Sequence, residues 1–279
     1  MATSTPAATL RDFTGTLVLV GAGKMGGAML EGWIALGLDA KRIVVIEPQP
    51  SGEVAALRAL GLRLNPDEGV TRDPSVVVLA VKPQSAPDVL PAVRPMVGAS
   101  TLVLSIMAGR TLAFLQQGLP DAAIVRVMPN TPAAIGRGIA VAVANGRVSS
   151  AQRGLADRLL AATGAVEWVT DEQLMDAVTA LSGSGPAYVF LLAESLAKAG
   201  TAAGLPVDLA ARLARATVAG SGELLHRSPL DATGLRENVT SPGGTTAAAL
   251  EVLMAKDGLD PLLEKAVAAA TRRSRELKG

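Results

Sequence analysis

The sequence contains no cysteine and a single histidine, His226. Without cysteine there is no disulfide, no thiolate nucleophile and no cysteine-ligated metal, and one histidine provides neither a histidine metal cluster nor a recognisable serine–histidine triad. Aromatic residues make up 2% of the chain, which argues against a surface that stacks the bases of single-stranded nucleic acid. We therefore expect no metal and no nucleic-acid partner.

Charge and hydropathy argue against membrane binding. Lysine and arginine number 26 and aspartate and glutamate number 25, so no net charge attracts an anionic membrane. Apolar residues make up 49% of the chain, but they are interrupted every few positions and no run reaches the length of a membrane-spanning helix. The first 13 residues lack the apolar core of a signal peptide. We expect a cytoplasmic protein, long enough at 279 residues for two domains.

A glycine-rich turn follows an apolar run near the start of the chain. Residues 17–20 read Leu-Val-Leu-Val, as in a strand buried on both faces, and Gly-Ala-Gly-Lys-Met-Gly follows at 21–26. In such a turn the first glycine permits the tight bend, the second lets the backbone approach a pyrophosphate, and the third lets the helix pack closely. A second apolar run at 43–46 completes a strand–helix–strand unit. The unit predicts dinucleotide binding, with glycines that serve only the turn and packing as the alternative.

Short apolar runs alternate with helical stretches up to about residue 145. This alternation predicts an α/β fold, a Rossmann-like doubly wound parallel sheet whose ligands bind at the carboxyl ends of the strands. Three successive strand ends, at 82–84, 106–109 and 129–132, carry prolines and small residues. Three such segments on one sheet edge favour a backbone-lined binding groove over ordinary turns.

Helical spacing dominates from about residue 151 onwards. A short strand is expected at 166–169, between helical stretches at 151–163 and 172–181. The later helices are rich in alanine and glycine, which let helices approach one another closely. We predict a dinucleotide-binding domain over 14–165 and an all-helical substrate-binding and dimerisation domain over 166–279.

A second glycine-rich segment, Asn-Val-Thr-Ser-Pro-Gly-Gly-Thr-Thr at 238–246, precedes a helical stretch. The free amides of a helix N-terminus, next to residues without Cβ, bind carboxylates and phosphates. Thr245 or Thr246 capping the helix is the alternative. Capping alone needs neither two glycines nor Asn238, so the segment favours an anion site.

These motifs, in this order, resemble the pyrroline-5-carboxylate reductase family. The resemblance runs from Leu17 to Leu277 and rests on the segments 21–26, 80–84, 126–132, 181–188 and 239–246. It implies a Rossmann domain and a helical domain that interlocks in a dimer, with five dimers forming a ring-like decamer in many relatives. The implied reaction is hydride transfer from NADPH or NADH to the imine carbon of 1-pyrroline-5-carboxylate, giving L-proline. A protonated cyclic imine is already electrophilic, so this chemistry needs positioning rather than a strong acid or nucleophile.

The resemblance also implies roles for individual residues. Thr245 and Thr246 hold the substrate carboxylate, Thr246 lies near the ring nitrogen, and Glu172 makes a polar contact to the substrate, so Thr246 and Glu172 are the catalytic candidates. From the sequence alone, Glu172 is typical of a carboxylate at a helix start. The other substrate candidates are Ser241, Gly243 and Gly244. The cofactor candidates are Gly21, Ala22, Gly23, Lys24, Met25, Glu47, Asp67, Ala80, Val81, Lys82, Pro83, Ile106, Ala108 and Asn238, the last from this subunit or its partner.

Glu47 bears on the choice of cofactor. It follows the second strand, 21 residues after Gly26, where a carboxylate accepts hydrogen bonds from the ribose hydroxyls and repels a 2′-phosphate. No arginine lies in 47–51, so the sequence favours NADH weakly, unless Pro48 turns the carboxylate away. Asp67 adds negative charge where relatives often have asparagine. Met107 is larger than its usual counterpart and is expected to narrow the nicotinamide pocket.

Three other functions remain open. A dehydrogenase of 3-hydroxy acids would carry a lysine on the helix after the glycine-rich start, and residues 186–189 contain none. A reductase of another cyclic imine carboxylate is harder to separate from the main hypothesis. A non-catalytic nucleotide-binding sensor would bind the cofactor without turnover and would not need the segment at 238–246.

Overall fold

A computed structural model of the chain describes residues 9–66 and 72–277. The chain forms two compact units. The first contains the chain up to Gly183 and again from Thr271, and the second is Ser184–Ala270. The division predicted at 165/166 separates two functional domains, and it stays a prediction. A strand of the sheet crosses that position.

The first unit is built on one eight-stranded sheet in the order β3-β2-β1-β4-β5-β6-β7-β8. The first six strands are parallel, β7 is antiparallel to β6, and β8 is parallel to β7. The chain runs outwards from β1 through β2 to β3 and then returns to β4 on the other side of β1, which makes the β1/β4 boundary the switch point where ligands of such sheets bind. The strands are β1 Leu17–Val20, β2 Ile43–Ile46, β3 Arg63–Leu64, β4 Val76–Leu79, β5 Leu102–Ser105, β6 Ala123–Met128, β7 Gly138–Ala144 and β8 Gly164–Trp168.

Helices cover both faces of this sheet. Alternate residues of β1 face opposite sides: Leu17 belongs to the same buried cluster as Trp33 of α1, and Val18 to the same cluster as Leu90 of α3. The Trp33 Nε1–H donates to the Leu159 carbonyl at 2.8 Å, which ties α1 to α5. The predicted Rossmann-like fold is therefore confirmed. The helices of this unit are α1 Lys24–Ala35, α2 Gly52–Ala56, α3 Ala86–Val93, α4 Leu112–Gly118, α5 Ser150–Leu160 and α6 Met175–Val178.

The second unit is helical, as predicted. Its helices are α7 Gly185–Ala202, α8 Val207–Arg227, α9 Ala232–Asn238, α10 Thr245–Leu253 and the first part of α11 Leu259–Glu276. The last turns of α11 belong to the first unit, where the Ser274 hydroxyl donates to buried Asp176 at 2.9 Å. Within the described ranges, none of the helices combines the length and apolar character needed to span a membrane.

The local structure differs from the expected one at three places. The strand expected at 166–169 is Gly164–Trp168 and is an edge strand of the sheet, paired with β7. The single helix expected over 172–181 is instead a 3₁₀ turn, α6 and a π-helical turn. The seven-residue α9, which ends at Asn238, was not predicted.

Candidate functional site

The glycine-rich turn lies at the carboxyl end of β1, beside the switch point. Gly21 has φ +91°, and a Cβ there would lie 2.7 Å from the Ala80 carbonyl oxygen at the end of β4. A Cβ on Gly26 would lie 2.3 Å from the Gly21 carbonyl oxygen. A Cβ on Gly23 would meet no heavy atom within 4 Å. The first and third glycines thus serve close packing, while the second opens the turn to an approaching group.

The N-terminus of α1 leaves backbone donors free above this turn. Gly23 is the N-cap residue, and no side chain of the described residues caps it. The first intrahelical bond runs from Gly27 N to Gly23 O at 2.7 Å, so the amides of the first three helical residues have no acceptor in the helix. The first turn carries no acidic side chain. This end of α1 therefore suits a phosphate group.

The Glu47 carboxylate reaches the same turn. Its Oε2 accepts a hydrogen bond from Ala22 N at 2.8 Å, and its Oε1 accepts one from Gln49 N at 2.9 Å. The Asn65 side chain holds the backbone of Glu47 through both its N–H and its carbonyl. Pro48 consequently does not turn the carboxylate away from the glycine-rich turn. The other acidic candidate, Asp67, lies outside the described residues.

The segments after β4 and β5 border the turn on its other side. Ala80 N donates to Val20 O at 2.8 Å, which places the first segment beside β1, and Ile106 N donates to Leu79 O at 3.0 Å, which places the second segment beside β4. Ala108 and Lys82 are exposed. The other candidates of this group, Val81 and Pro83, are half-buried.

Met107 does not lie along this edge as expected. Its side chain is 2% exposed and belongs to the apolar cluster beneath the sheet. The expectation that Met107 narrows a nicotinamide pocket is therefore wrong, because the side chain packs into the core.

Glu172 is held by two hydrogen bonds to one oxygen. Its Oε1 accepts from Arg126 Nη1 at 2.7 Å and from Leu112 N at 2.8 Å. Glu172 is also the first residue of a 3₁₀ turn, as expected of a carboxylate at a helix start, and the preceding Asp171 caps that turn by accepting from Gln173 N. Sequence reasoning had quoted Arg126 within a motif without assigning it a role. The sequence feature that could have identified Arg126 is its position as the charged residue of the otherwise apolar strand Ala-Ile-Val-Arg-Val-Met.

The second glycine-rich segment joins α9 to α10 in the second unit. The N-cap residue of α10 is Gly244, and no described side chain caps the helix, so the alternative in which Thr245 or Thr246 is the N-cap is wrong. Gly244 N donates to Ser241 O at 3.0 Å, and Gly243 has φ +71°. Thr245 is exposed and Thr246 is half-buried. The first-turn amides of α10 are therefore free of side-chain caps.

The structure thus brings the candidates together in two groups. Apart from Asp67 and Asn238, the cofactor candidates line one edge of the sheet in the first unit. Asn238, exposed at the end of α9, is the first residue of the second glycine-rich segment, in the second unit. Both groups are built on helix N-termini with free amides.

Comparison with known proteins identifies the family. Residues 172–277 match the family model described as pyrroline-5-carboxylate reductase dimerisation, and residues 16–109 match one described as NADP oxidoreductase, coenzyme F420-dependent. The chain is 41% identical to a pyrroline-5-carboxylate reductase of Pisum sativum over 94% of this chain and 96% of that protein. It is 39% identical to one of Pseudomonas aeruginosa over 95% of this chain and 97% of that protein.

Solved structures agree with the sequence comparison. The pyrroline-5-carboxylate reductase of Coxiella burnetii superposes with a TM-score of 0.87 at 34% identity, covering 95% of this chain and 99% of that chain. The Plasmodium falciparum pyrroline carboxylate reductase, solved with NADP bound, gives 0.78 at 30% identity with the same coverage. The chain belongs to the pyrroline-5-carboxylate reductase family. The resemblance drawn from the five motifs is thereby confirmed.

Membership of this family accounts for the apolar surface of the second unit. Helix α7 has no buried residue, and large apolar side chains along it are 42–62% exposed. An apolar surface of this kind on an isolated chain marks an interface. Together with the dimerisation match, it indicates that this member of the family forms oligomers of itself. The exposed apolar residues of α7 are Val189, Phe190, Leu191, Leu192 and Leu196.

Two neighbouring glycines of α1 test the packing role. Gly26→Ala places a methyl group against the Gly21 carbonyl oxygen, and we expect a loss of about 1–3 kcal/mol in the free energy of unfolding together with weaker dinucleotide binding. A Cβ on Gly27 has its nearest contact at 3.7 Å, so Gly27→Ala should stabilise the helix by up to about 1 kcal/mol. Urea unfolding and dinucleotide titration measure both variants. Equal effects of the two substitutions would contradict the packing role of Gly26.

Proposed function

We propose that the protein reduces 1-pyrroline-5-carboxylate to L-proline with NADPH or NADH, the last step of proline biosynthesis. The observation that carries this proposal is the similarity to pyrroline-5-carboxylate reductases over 94% of the chain. Both glycine-rich segments lie within that span. The carbon of the protonated imine would accept a hydride, and the π electrons of the C=N bond would move to nitrogen.

The residues of the glycine-rich turn fit a dinucleotide. The open space above Gly23 and the free amides of α1 would receive the pyrophosphate. The Glu47 carboxylate, held at Ala22 N, would accept the ribose hydroxyls. When bound, the reduced cofactor supplies the hydride. The segments after β4 and β5, from Ala80 to Pro83 and at Ile106 and Ala108, would border its nicotinamide half.

The substrate would bind at the N-terminus of α10. The amides and hydroxyls of Thr245 and Thr246 would hold its carboxylate, and Thr246 would lie near the ring nitrogen. The backbone of Ser241, Gly243 and Gly244 shapes this segment without adding charge. Such a site orients the imine and needs no nucleophile. The polar contact between Glu172 and the substrate stays a prediction.

The size of the oligomer and the location of the protein in the cell are further parts of the proposal. We propose a dimer built through the second unit, with a decamer of five dimers as the larger assembly, and a cytoplasmic location. Sedimentation velocity at several protein concentrations separates the two assemblies, because the mass changes fivefold between a dimer and five dimers.

The activity is tested by following the loss of reduced-cofactor absorbance with 1-pyrroline-5-carboxylate, in parallel with NADH and NADPH. Oxidation with either cofactor would support the proposal. No oxidation by folded protein that still binds cofactor would overturn it. Oxidation only with a six-membered cyclic imine carboxylate would favour the other reductase, and cofactor binding with no imine substrate would favour the sensor.

Thr246→Ala tests the substrate site. Loss of a hydrogen bond to a charged ligand group should lower kcat/KM by about 10- to 100-fold, while the Kd for the reduced cofactor stays within about twofold because Thr246 lies outside the dinucleotide turn. Thr246→Ser keeps the hydroxyl and is the matched control, with kcat/KM near that of the unaltered protein. Unchanged turnover in Thr246→Ala would remove Thr246 from the mechanism.

Glu47→Ser tests the choice of cofactor. Removing the carboxylate removes both the ribose acceptor and the repulsion of a 2′-phosphate, so the NADPH to NADH ratio of kcat/KM should rise at least about tenfold. Glu53→Ser removes the same charge from an exposed position at the start of α2 and should leave the ratio unchanged. An equal NADPH to NADH ratio of kcat/KM in the unaltered protein, Glu47→Ser and Glu53→Ser would show that Glu47 does not contact the ribose.

A further inference from the structure

Arg126 is buried in the sheet, near the strand ends that are proposed to border the nicotinamide half of the cofactor. Arg126 is the fourth residue of β6 and is 3% exposed. In the parallel register it lies opposite Ser105, the last residue of β5. The backbone of Arg126 therefore lies level with the point where β5 ends and the loop carrying Ile106 and Ala108 begins.

One oxygen of Glu172 joins three elements at this point. Its Oε1 accepts from Arg126 Nη1 at 2.7 Å and from the amide of Leu112 at 2.8 Å. Leu112 is the first residue of α4, so the carboxylate connects β6, the start of α4 and the 3₁₀ turn after β8. Among the described residues, Oε2 of Glu172 has no hydrogen-bond partner, and the side chain is 27% exposed. The carboxylate is thus fixed by one oxygen and presents the other.

The bridged loop is also fixed at its other side. Arg110 Nε donates to the Pro83 carbonyl at 3.0 Å, and its guanidinium lies 4.5 Å from the centre of the Phe114 ring. The loop of residues 106–111 is therefore tied to the segment after β4 by Arg110 and to β6 through Glu172. Both ties hold the backbone that borders the nicotinamide half of the cofactor.

A buried ion pair by itself contributes little to the stability of a fold. Removing a guanidinium and a carboxylate from water costs about as much as their attraction returns, and well-packed apolar side chains often do as well. The pair does, however, fix two groups in one geometry. That property matters most where a reacting ring must be held to within a fraction of an ångström.

We propose that Arg126 is a positioning residue that acts through Glu172. It holds the 106–111 loop, and hence the nicotinamide ring, in the orientation from which hydride is transferred, and it leaves Oε2 of Glu172 directed away from the ion pair. The proposal rests on the proposed function, because it assigns the loop to the nicotinamide.

The test compares Arg126→Met with Arg147→Met. Arg126→Met should lower kcat by about 10- to 100-fold, because the positioning of the nicotinamide ring is lost. KM and the cofactor Kd should change less than about threefold, because binding is kept. The deuterium isotope effect on kcat, with cofactor labelled at the transferred position, should rise because hydride transfer becomes slower. Arg147→Met removes an exposed pair with Asp121 (3.2 Å; side chains 54% and 92% exposed) and should change none of these.

A second readout does not depend on turnover. The fluorescence lifetime of bound NADH reports the surroundings of the nicotinamide ring, and Arg126→Met should shorten it at unchanged Kd. If the unaltered protein oxidises no cofactor with the imine, the proposed function fails, and this lifetime still decides the positioning role. Unchanged lifetime, kcat and isotope effect in folded Arg126→Met would overturn it.

A further pair of variants guards against loss of folding. The double variant R126M/E172Q leaves no unpaired buried charge and should show the same shortened lifetime as Arg126→Met. In Glu172→Gln alone the buried guanidinium loses its counter-charge, which should lower the free energy of unfolding, but the amide oxygen still accepts from Arg126 and Leu112, so the lifetime in the folded variant should stay that of the unaltered protein. A shortened lifetime in Glu172→Gln and not in the double variant would contradict the proposal.

Discussion

The close approach of α1 to the sheet is the constraint on which the rest of the candidate site depends. A Cβ on Gly26 would overlap the Gly21 carbonyl oxygen, and a Cβ on Gly21 would lie 2.7 Å from the Ala80 carbonyl oxygen. Only residues without a side chain allow the turn to lie between β1 and β4 in this way. The helix therefore starts at the switch point of the sheet, and its free amides face the edge where the segments after β4 and β5 converge.

Charge at this edge is placed by hydrogen bonds to the backbone as much as by ion pairs. The Glu47 carboxylate is fixed by Ala22 N and Gln49 N, and Glu172 Oε1 accepts hydrogen bonds from Leu112 N and from Arg126 Nη1. An amide donor does not move as a long side chain does, so each carboxylate has one defined position. This suits a reaction in which an electrophilic imine and a hydride donor need orientation and little acid–base chemistry.

Features encoded within a few neighbouring residues could be predicted from the sequence. The buried strands, the glycine-rich turn and the start of α10 each depend on a local pattern. The reversed direction of β7 was also available and was missed: only nine residues separate β6 from β7, and a parallel neighbour needs a crossover of a dozen or more. Asp231, which caps α9 through Gly234 N, was a second unused signal.

The role of Glu172 could not be predicted in the same way. Its partners lie 60 and 46 residues away, on α4 and β6, and no local pattern states which side chain will meet a buried arginine. The neighbouring Asp171 caps the 3₁₀ turn, because its short side chain reaches the amide two residues on, whereas Glu172 contacts Leu112 and Arg126. Two adjacent acids thus have different surroundings, one at the surface of a turn and the other against the guanidinium of Arg126. The arginine in an otherwise apolar strand carried the information: a cation buried there requires an anion, and that anion has to come from a distant part of the chain.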